Sequence, residues 1–178
     1  TIVVGAPLVN LGTVFDAGCV YVFTRDQSVF LSPWTQRQKL TATNPGADDR
    51  LGVSVSVDAN TLLAGAPRAD FAGLFDSGAA YVFTRESASA GFSQKQILRA
   101  RVAGSDSLFG ASVLVDGPTA IMGAPGARFF TATDAGAAYV FVRESLSGDW
   151  RQQQELTGSS PEALAEFGGA VGLDAATT

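Results

Sequence analysis

The chain contains no histidine, one cysteine (Cys19) and one methionine. Without histidine, Ser-His-Asp and Cys-His nucleophilic chemistry and histidine-ligated zinc are all excluded. One cysteine cannot close an internal disulfide, and the place of Cys19 inside a strand-like phrase marks it as a small buried apolar residue. No apolar run approaches the roughly 20 residues that a membrane-spanning helix needs. The 12 basic residues are scattered singly in a chain of net charge −5. There is no basic stripe, and nucleic acid is not an expected partner. Nor does any Gly-x-x-x-x-Gly-Lys phosphate loop occur. The opening TIVVGAPLVN shows no charged leader region or cleavage site, so no targeting signal is visible.

What is present suits a packed core. The chain is 46% hydrophobic and only 16% charged, which excludes a disordered chain. Its 20 glycines favour turns and short strands over long helices. Length alone allows one domain or two.

The decisive feature is repetition. DAGCVYVFTR (Asp16 to Arg25), DSGAAYVFTR (Asp76 to Arg85) and DAGAAYVFVR (Asp134 to Arg143) are one phrase written three times. Gly-Ala-Pro recurs at Gly5, Gly65 and Gly123, spaced 60 and then 58 apart. Pro7 to Asp16, Pro67 to Asp76 and Pro125 to Asp134 are nine residues each, and Leu40 to Gly52, Leu98 to Gly110 and Leu156 to Gly168 are twelve each. Only Arg25 to Trp34 is longer, by two residues, than its counterparts ending at Phe92 and Trp150. Insertion confined to one loop while strands hold register is the mark of a stacked repeat. The repeats run approximately 1–50, 51–108 and 109–166, with 167–178 opening the next.

Each repeat reads as four strands, twelve in all. VSVSVD (Val53 to Asp58), ASVLVD (Ala111 to Asp116) and GAVGLD (Gly169 to Asp174) form the first. Two-residue links, Ala59-Asn60 and Gly117-Pro118, suit tight hairpins into TLLAGAP and TAIMGAP. The third strand is the repeated phrase, with Tyr81 and Phe83 on one face and Val82 on the other, both apolar. The Asp-x-Gly ahead of it reads as a turn in which the carboxylate bonds a nearby amide. TQRQKLTA, SQKQILRA and RQQQELTG are polar, as solvent-facing edge strands should be. SPEALAEF (Ser160 to Phe167) is the one helix-like piece, of about one turn. The glutamines Gln36, Gln94 and Gln152, with Gln38, Gln96 and Gln154, are expected to form a solvated rim, the alternative being a polar ladder against a partner. The pairs Arg25-Asp26, Arg85-Glu86 and Arg143-Glu144 read as strand-end surface charges.

Four-stranded units of about sixty residues are the expected blades of an all-β propeller, each needing a neighbour on either side to bury both faces. LFGASVLVDGPTAIMGAPGARFFTATDAGAAYVFVR (Leu108 to Arg143) resembles an FG-GAP repeat, the blade unit of integrin alpha-chain head propellers. Phe109-Gly110 and Phe167-Gly168 match the FG half, Leu51-Gly52 departs from it, and all three Gly-Ala-Pro triplets match the other half. The resemblance implies a propeller, most often of seven blades, used extracellularly for adhesion or ligand binding. This chain would then supply three antiparallel blades of a larger ring, with further blades as partners.

One departure from that family bears on metal. Its calcium loop, Asp-x-Asp-x-Asp-Gly between the first two strands, is here only Asp58-Ala59-Asn60-Thr61 or Asp116-Gly117-Pro118-Thr119. Two-residue hairpins are too short to wrap six or more oxygens round an ion. Asp58, Asp116 and Asp174 are therefore read as turn-capping carboxylates, and Asp48, Asp49 and Asp106 as a weaker alternative metal set. No cofactor is expected. Acidic residues recurring once per repeat fit structural roles better than a unique acid–base pair, so the chain is expected not to be an enzyme.

Function is then expected where the copies differ. The loops after Gly-Ala-Pro, LVNLGTVF, RADFAGLF and GARFFTAT, are equal in length and unlike in content. Arg68, Asp70, Phe71, Arg128, Phe129 and Phe130 are the candidate ligand contacts, arginine and aromatics being the usual hot-spot residues. The bland alternative is that the three phenylalanines tuck between blades. A protein-binding or adhesion module is the first functional class, a carbohydrate-binding propeller the second, and an accessory propeller of a larger secreted enzyme the third.

Overall fold

Alternating apolar residues, bounded by glycine-rich turns, build the same antiparallel meander in every repeat. The computed structural model describes residues 1–26, 28–129, 131–145 and 148–174. The first sheet has three strands, β1 (Ile2–Ala6), β2 (Cys19–Thr24) and β3 (Thr35–Leu40). The second has four, β4 (Ser54–Asp58), β5 (Thr61–Ala66), β6 (Ala79–Thr84) and β7 (Ser93–Leu98). The third repeats it with β8 (Ser112–Asp116), β9 (Thr119–Ala124), β10 (Ala137–Val142) and β11 (Arg151–Leu156). The chain is all-β, and no helix occurs among the described residues, let alone one long and apolar enough to cross a membrane.

The hairpins fall where the sequence puts them: Asp58 faces Thr61 and Asp116 faces Thr119, with Ala59 and Gly117 at positive φ. Each ladder between third and fourth strand shifts register at one place, Val22/Phe23, Val82/Phe83 or Val140/Phe141. Among the described residues there are eleven strands, not the expected twelve. Gly169 to Asp174, expected as the first strand of a further repeat, forms none. Two glycines, Gly169 and Gly172, weaken it as a strand. The helix-like Ser160 to Phe167 is a turn instead, with Leu164 and Glu166 at positive φ.

Burial follows the period of two. Tyr81 and Phe83 of the second sheet, with Leu62 and Ala64, meet Val20, Val22 and Leu40 of the first in one cluster. Val82, Leu63, Ala80 and Leu98 point the other way, against Met122, Tyr139 and Phe141 of the third. The second sheet is thus covered on both faces. The fourth strands are edge strands, and their outward residues are polar and exposed.

The two joints between sheets use the same parts at aligned positions. Phe109 packs on Tyr139 and Phe141, ring centroids 5.4 and 6.0 Å apart, and Leu51 holds the aligned place in the first joint. Four of the six glutamines expected as a rim lie in these joints, while Gln36 and Gln154 stay exposed as expected. Gln38 donates from Nε2 to the Phe92 carbonyl (2.7 Å) and accepts the Phe92 N–H (2.8 Å). Gln96 does the same with Trp150, at 2.9 and 2.8 Å. Gln94 and Gln152 accept the amides of Thr43 and Arg101 at 2.9 and 2.7 Å. A primary amide suits this role because it donates and accepts in one plane, closing a pair of bonds on the N–H and C=O of one residue. Arg25 is exposed, as expected of a strand-end surface charge, whereas Arg85 is half-buried and Arg143 buried. Their guanidinium groups lie over Trp34, Phe92 and Trp150, 5.2, 4.5 and 4.6 Å from the ring centroids.

Candidate functional site

The loops after β1, β5 and β9 emerge from one end of their sheets and share a backbone. Each is closed by a short antiparallel bridge, Leu11 with Val14, Phe71 with Leu74 and Phe129 with Ala132. The chain then enters a left-handed residue, Asp16, Asp76 or Asp134, at φ 49°, 48° and 53°. Asparagine and aspartate tolerate that conformation better than most side chains. The turn is braced otherwise than expected. The Asp76 amide donates to Asp70 Oδ1 (2.9 Å), and the Asp16 amide to Asn10 Oδ1 (2.9 Å). Asp70 therefore braces its loop, while the Asp76 carboxylate faces the Arg68 guanidinium at 3.8 Å.

Each loop is interleaved with the one opening the next repeat. Asp48 N–H donates to the Phe15 carbonyl (2.9 Å), Asp106 N–H to Phe75 (2.8 Å) and Leu164 N–H to Thr133 (3.0 Å). Around the first of these junctions sits a charged group. Asp48 Oδ1 takes Arg50 Nε at 2.8 Å, and its other oxygen takes the Arg68 guanidinium. Burial pushes the Asp48 carboxyl up, but the hydrogen bonds and charges of Arg50 and Arg68 outweigh it and leave it below the ordinary range. Its neighbour Asp49 is turned inward to the Gly46 amide (2.6 Å) and moves the opposite way, raised chiefly by burial. Asp106 lies in a cleft of about 410 Å³ with Arg68, Asp76, Asp134 and Glu166. Among the described residues no three acidic side chains converge as metal ligands. The hairpin carboxylate Asp58 does not cap its own turn: Oδ2 accepts the Gly117 amide of the next repeat at 2.8 Å.

Of the candidate contacts, Arg68 and Phe71 come from one loop and meet different neighbours. Phe71 is exposed and lies under Arg99, 4.2 Å from guanidinium carbon to ring centroid. Arg128 occupies the place of Asp70 one repeat later and is exposed, lining a separate cleft of about 450 Å³ with Asp106, Tyr139 and Glu155. There the Tyr139 phenol is pushed up to about 12 by burial, by the Glu155 charge and by its hydrogen bond to that carboxylate. Phe129 is half-buried, and Phe130 lies outside the described residues. Sequence reasoning missed Phe15 and Phe75, both exposed on this end. The signal was there: each precedes the repeated aspartate, where the third copy has Thr133.

The motif residues that frame these loops have a steric logic. A Cβ on Gly5 would land on the Gly52 carbonyl oxygen, one on Gly65 on that of Gly110, and one on Gly123 on that of Gly168. The second glycine of each such pair approaches at positive φ, and its neighbour Leu51, Phe109 or Phe167 bridges to Gly18, Gly78 or Gly136. Gly-Ala-Pro of one repeat and Phe-Gly of the next are thus the two halves of one backbone contact. A family model described as the FG-GAP repeat matches residues 34–83 and 92–141, more than half of the chain. The chain belongs to the FG-GAP repeat family. No curated protein matches it at a significant level. Within an FG-GAP repeat the motif is therefore the joint, and the loop between Gly-Ala-Pro and the Asp-x-Gly turn is what the joint leaves free to vary.

Proposed function

We propose that this FG-GAP chain is a non-catalytic interaction module, its three sheets serving as blades of a β-propeller that works outside the cell. Its ligand is a protein, bound by the loop end around Arg68. The observation that carries this reading is the contrast within those loops: one backbone, held by the same bridges and the same glycine contacts, presents different side chains in each copy. Phe15, Phe71 and Phe75 are exposed there beside arginines already oriented by carboxylates or rings. Oriented arginine and exposed aromatic side chains lose little conformational freedom on docking and carry most of the energy in protein interfaces. The acids nearby are engaged in structure: Asp48 with two arginines, Asp70 and Asp49 with amides. That supports a binding role over acid–base work. The family resemblance supplies the extracellular setting and a ring of seven blades.

The test is capture of cell-surface proteins by the immobilised chain, compared with a Phe15→Ala/Phe75→Ala double variant. Both side chains are exposed, so the fold should survive. The proposal expects the captured protein to bind about tenfold more weakly or be lost. Undiminished capture by the double variant would overturn the assignment of this end. Binding on a glycan array that depends on Arg128 and ignores Phe75 would favour a carbohydrate ligand in its place.

A further inference from the structure

We infer that the cleft in the joint between the first and second sheets, at the end away from the variable loops, binds a sugar-sized polyanion carrying sulfate or phosphate esters through Arg25, Arg37 and Arg85. It shares no residue with the loop end around Arg68, so the two assignments stand or fall separately. The cleft has a volume of about 750 Å³, within the usual range for small-molecule sites. One side of it is the run Ala88-Ser89-Ala90-Gly91, whose small side chains leave the space open. Three of the chain's 12 basic residues line it, and among the described residues no acid does. In a chain of net charge −5 this gathers positive charge into one concavity, where low-dielectric walls focus the field.

The repeat itself sets these arginines in place. The register shift at Val22/Phe23 pairs Val22 with Gln38 and Phe23 with Gln36, so Arg37 is the extra residue of a bulge. Bulges re-aim side chains. Arg37 Nε donates to Thr24 Oγ1 (3.0 Å), and its terminal nitrogens make no hydrogen bond or ion pair among the described residues. Arg85 lies over Phe92 and donates to Asn60 Oδ1 (3.3 Å), to the Ala59 and Ala88 carbonyls (2.8 and 3.3 Å) and to the Thr1 hydroxyl (3.2 Å). Every one of these acceptors is neutral. The guanidinium is thus oriented with its charge uncompensated, and burial pushes it below its ordinary value. Arg25, over Trp34, likewise makes no ion pair among the described residues.

The second joint shows how the chain answers such a cation when it does so itself. Lys95 holds the bulge position of Arg37 there, between Gln94 and Gln96, and its Nζ lies 4.0 Å from Asp149 Oδ1. The residue aligned with Asp149 in the first joint is Gly91. In one joint the cation faces a carboxylate of its own chain, and in the other it faces a glycine. A ligand oxyanion is expected where Asp149 would put its carboxylate. Guanidinium forks suit that ligand, because they offer paired N–H donors to sulfate and phosphate oxygens. Three of them around one cleft of this size match several esters on one sugar better than a single free ion.

Calorimetric titration of the chain with sucrose octasulfate and with inositol hexakisphosphate tests this, with inorganic sulfate as the single-ion control. At least one polyanion should saturate a single site and bind more weakly as salt is added, and the preferred one tells sulfate from phosphate esters. Arg37→Gln should lower the affinity about tenfold or more. So should Gly91→Asp, which writes the Asp149 carboxylate into the first joint. A Cβ at Gly91 comes no closer than 3.4 Å to Gln38, so the fold should hold, and thermal melting checks that it does. Lys95→Gln, the aligned change in the second joint, should leave the affinity nearly unchanged. Binding of neither polyanion overturns the inference. So does an affinity unmoved by Arg37→Gln or by Gly91→Asp, or one that falls equally in Lys95→Gln, which would be a response to overall charge. Inorganic sulfate that binds as tightly as the polyanions would overturn the sugar-sized assignment.

Discussion

The aligned strands of the first and second repeats, within TIVVGA and TLLAGA, follow one pattern and meet opposite fates. All six residues of β5 are buried, whereas β1 has none fully buried. The difference lies in the neighbours. β5 has a strand on either side and a sheet against either face; among the described residues β1 has one strand and one sheet. Hydrophobicity in a stacked repeat is a demand that the next repeat satisfies, and stability is distributed along the stack accordingly.

The largest expected contrast is between Phe83 and Phe23, aligned residues of β6 and β2. Phe83 is buried in the first joint and Phe23 is half-buried on the open face. Phe83→Ala should cost about 3–5 kcal/mol in urea unfolding, and Phe23→Ala less than half of that, measured where the chain is single. Equal losses would mean that the open face is covered in solution. Where the two sheets share a contact, the contrast should vanish. Gly5→Ala and Gly65→Ala both drive a methyl into the carbonyl of the following glycine, and each should cost about 2–3 kcal/mol. A mild effect at Gly5 alone would show that its joint is looser. Next come the glutamines. Gln96→Ala should cost about 1–2 kcal/mol by leaving the Trp150 N–H and C=O unpaired, and Gln154→Ala should be nearly silent in the single chain.

The smallest contrast is between the loops 44–50 and 102–108, where Asp49 and Ser107 hold aligned places. Burial raises the Asp49 carboxyl, helped by the charges of Asp70 and Asp48 and opposed by the Gly46 amide. The folded state then holds this proton more tightly than the unfolded state. That contribution to stability is full below the ordinary carboxylate range and is lost as pH rises through the raised value. An Asp49→Ser variant should therefore gain on the wild type as pH rises across that window. A difference independent of pH, or one that runs the other way, would place the carboxylate in a wetter site.

Much of this was legible in the sequence, because fixed spacing, period-two alternation and two-residue hairpins are local properties. Strand order, the tight links at Ala59 and Gly117, and the opposed faces of Tyr81 and Val82 followed from those alone. What stayed hidden depended on partners distant in the chain. Gln38 reads as a polar edge residue until Phe92, 54 positions away, brings its backbone N–H and C=O alongside. Arg85 beside Glu86 reads as a strand-end surface charge until the strand return sets Phe92 under the guanidinium. In the loops, the bracing role of Asp70, a candidate contact, and the exposure of Phe15 and Phe75 became visible only in the structure. GAVGLD alternates much as a strand does, but alternation supplies no hydrogen-bond partner.

Amide hydrogen exchange, at a dilution where scattering shows a single chain, tests most directly whether neighbours set stability here. β5 and β1 carry nearly the same residues, so propensity alone would protect them alike. The account expects the Leu62 to Ala66 amides to exchange more slowly than those of Ile2 to Ala6 by on the order of a hundredfold or more. Equal protection of the two strands at that dilution would contradict it.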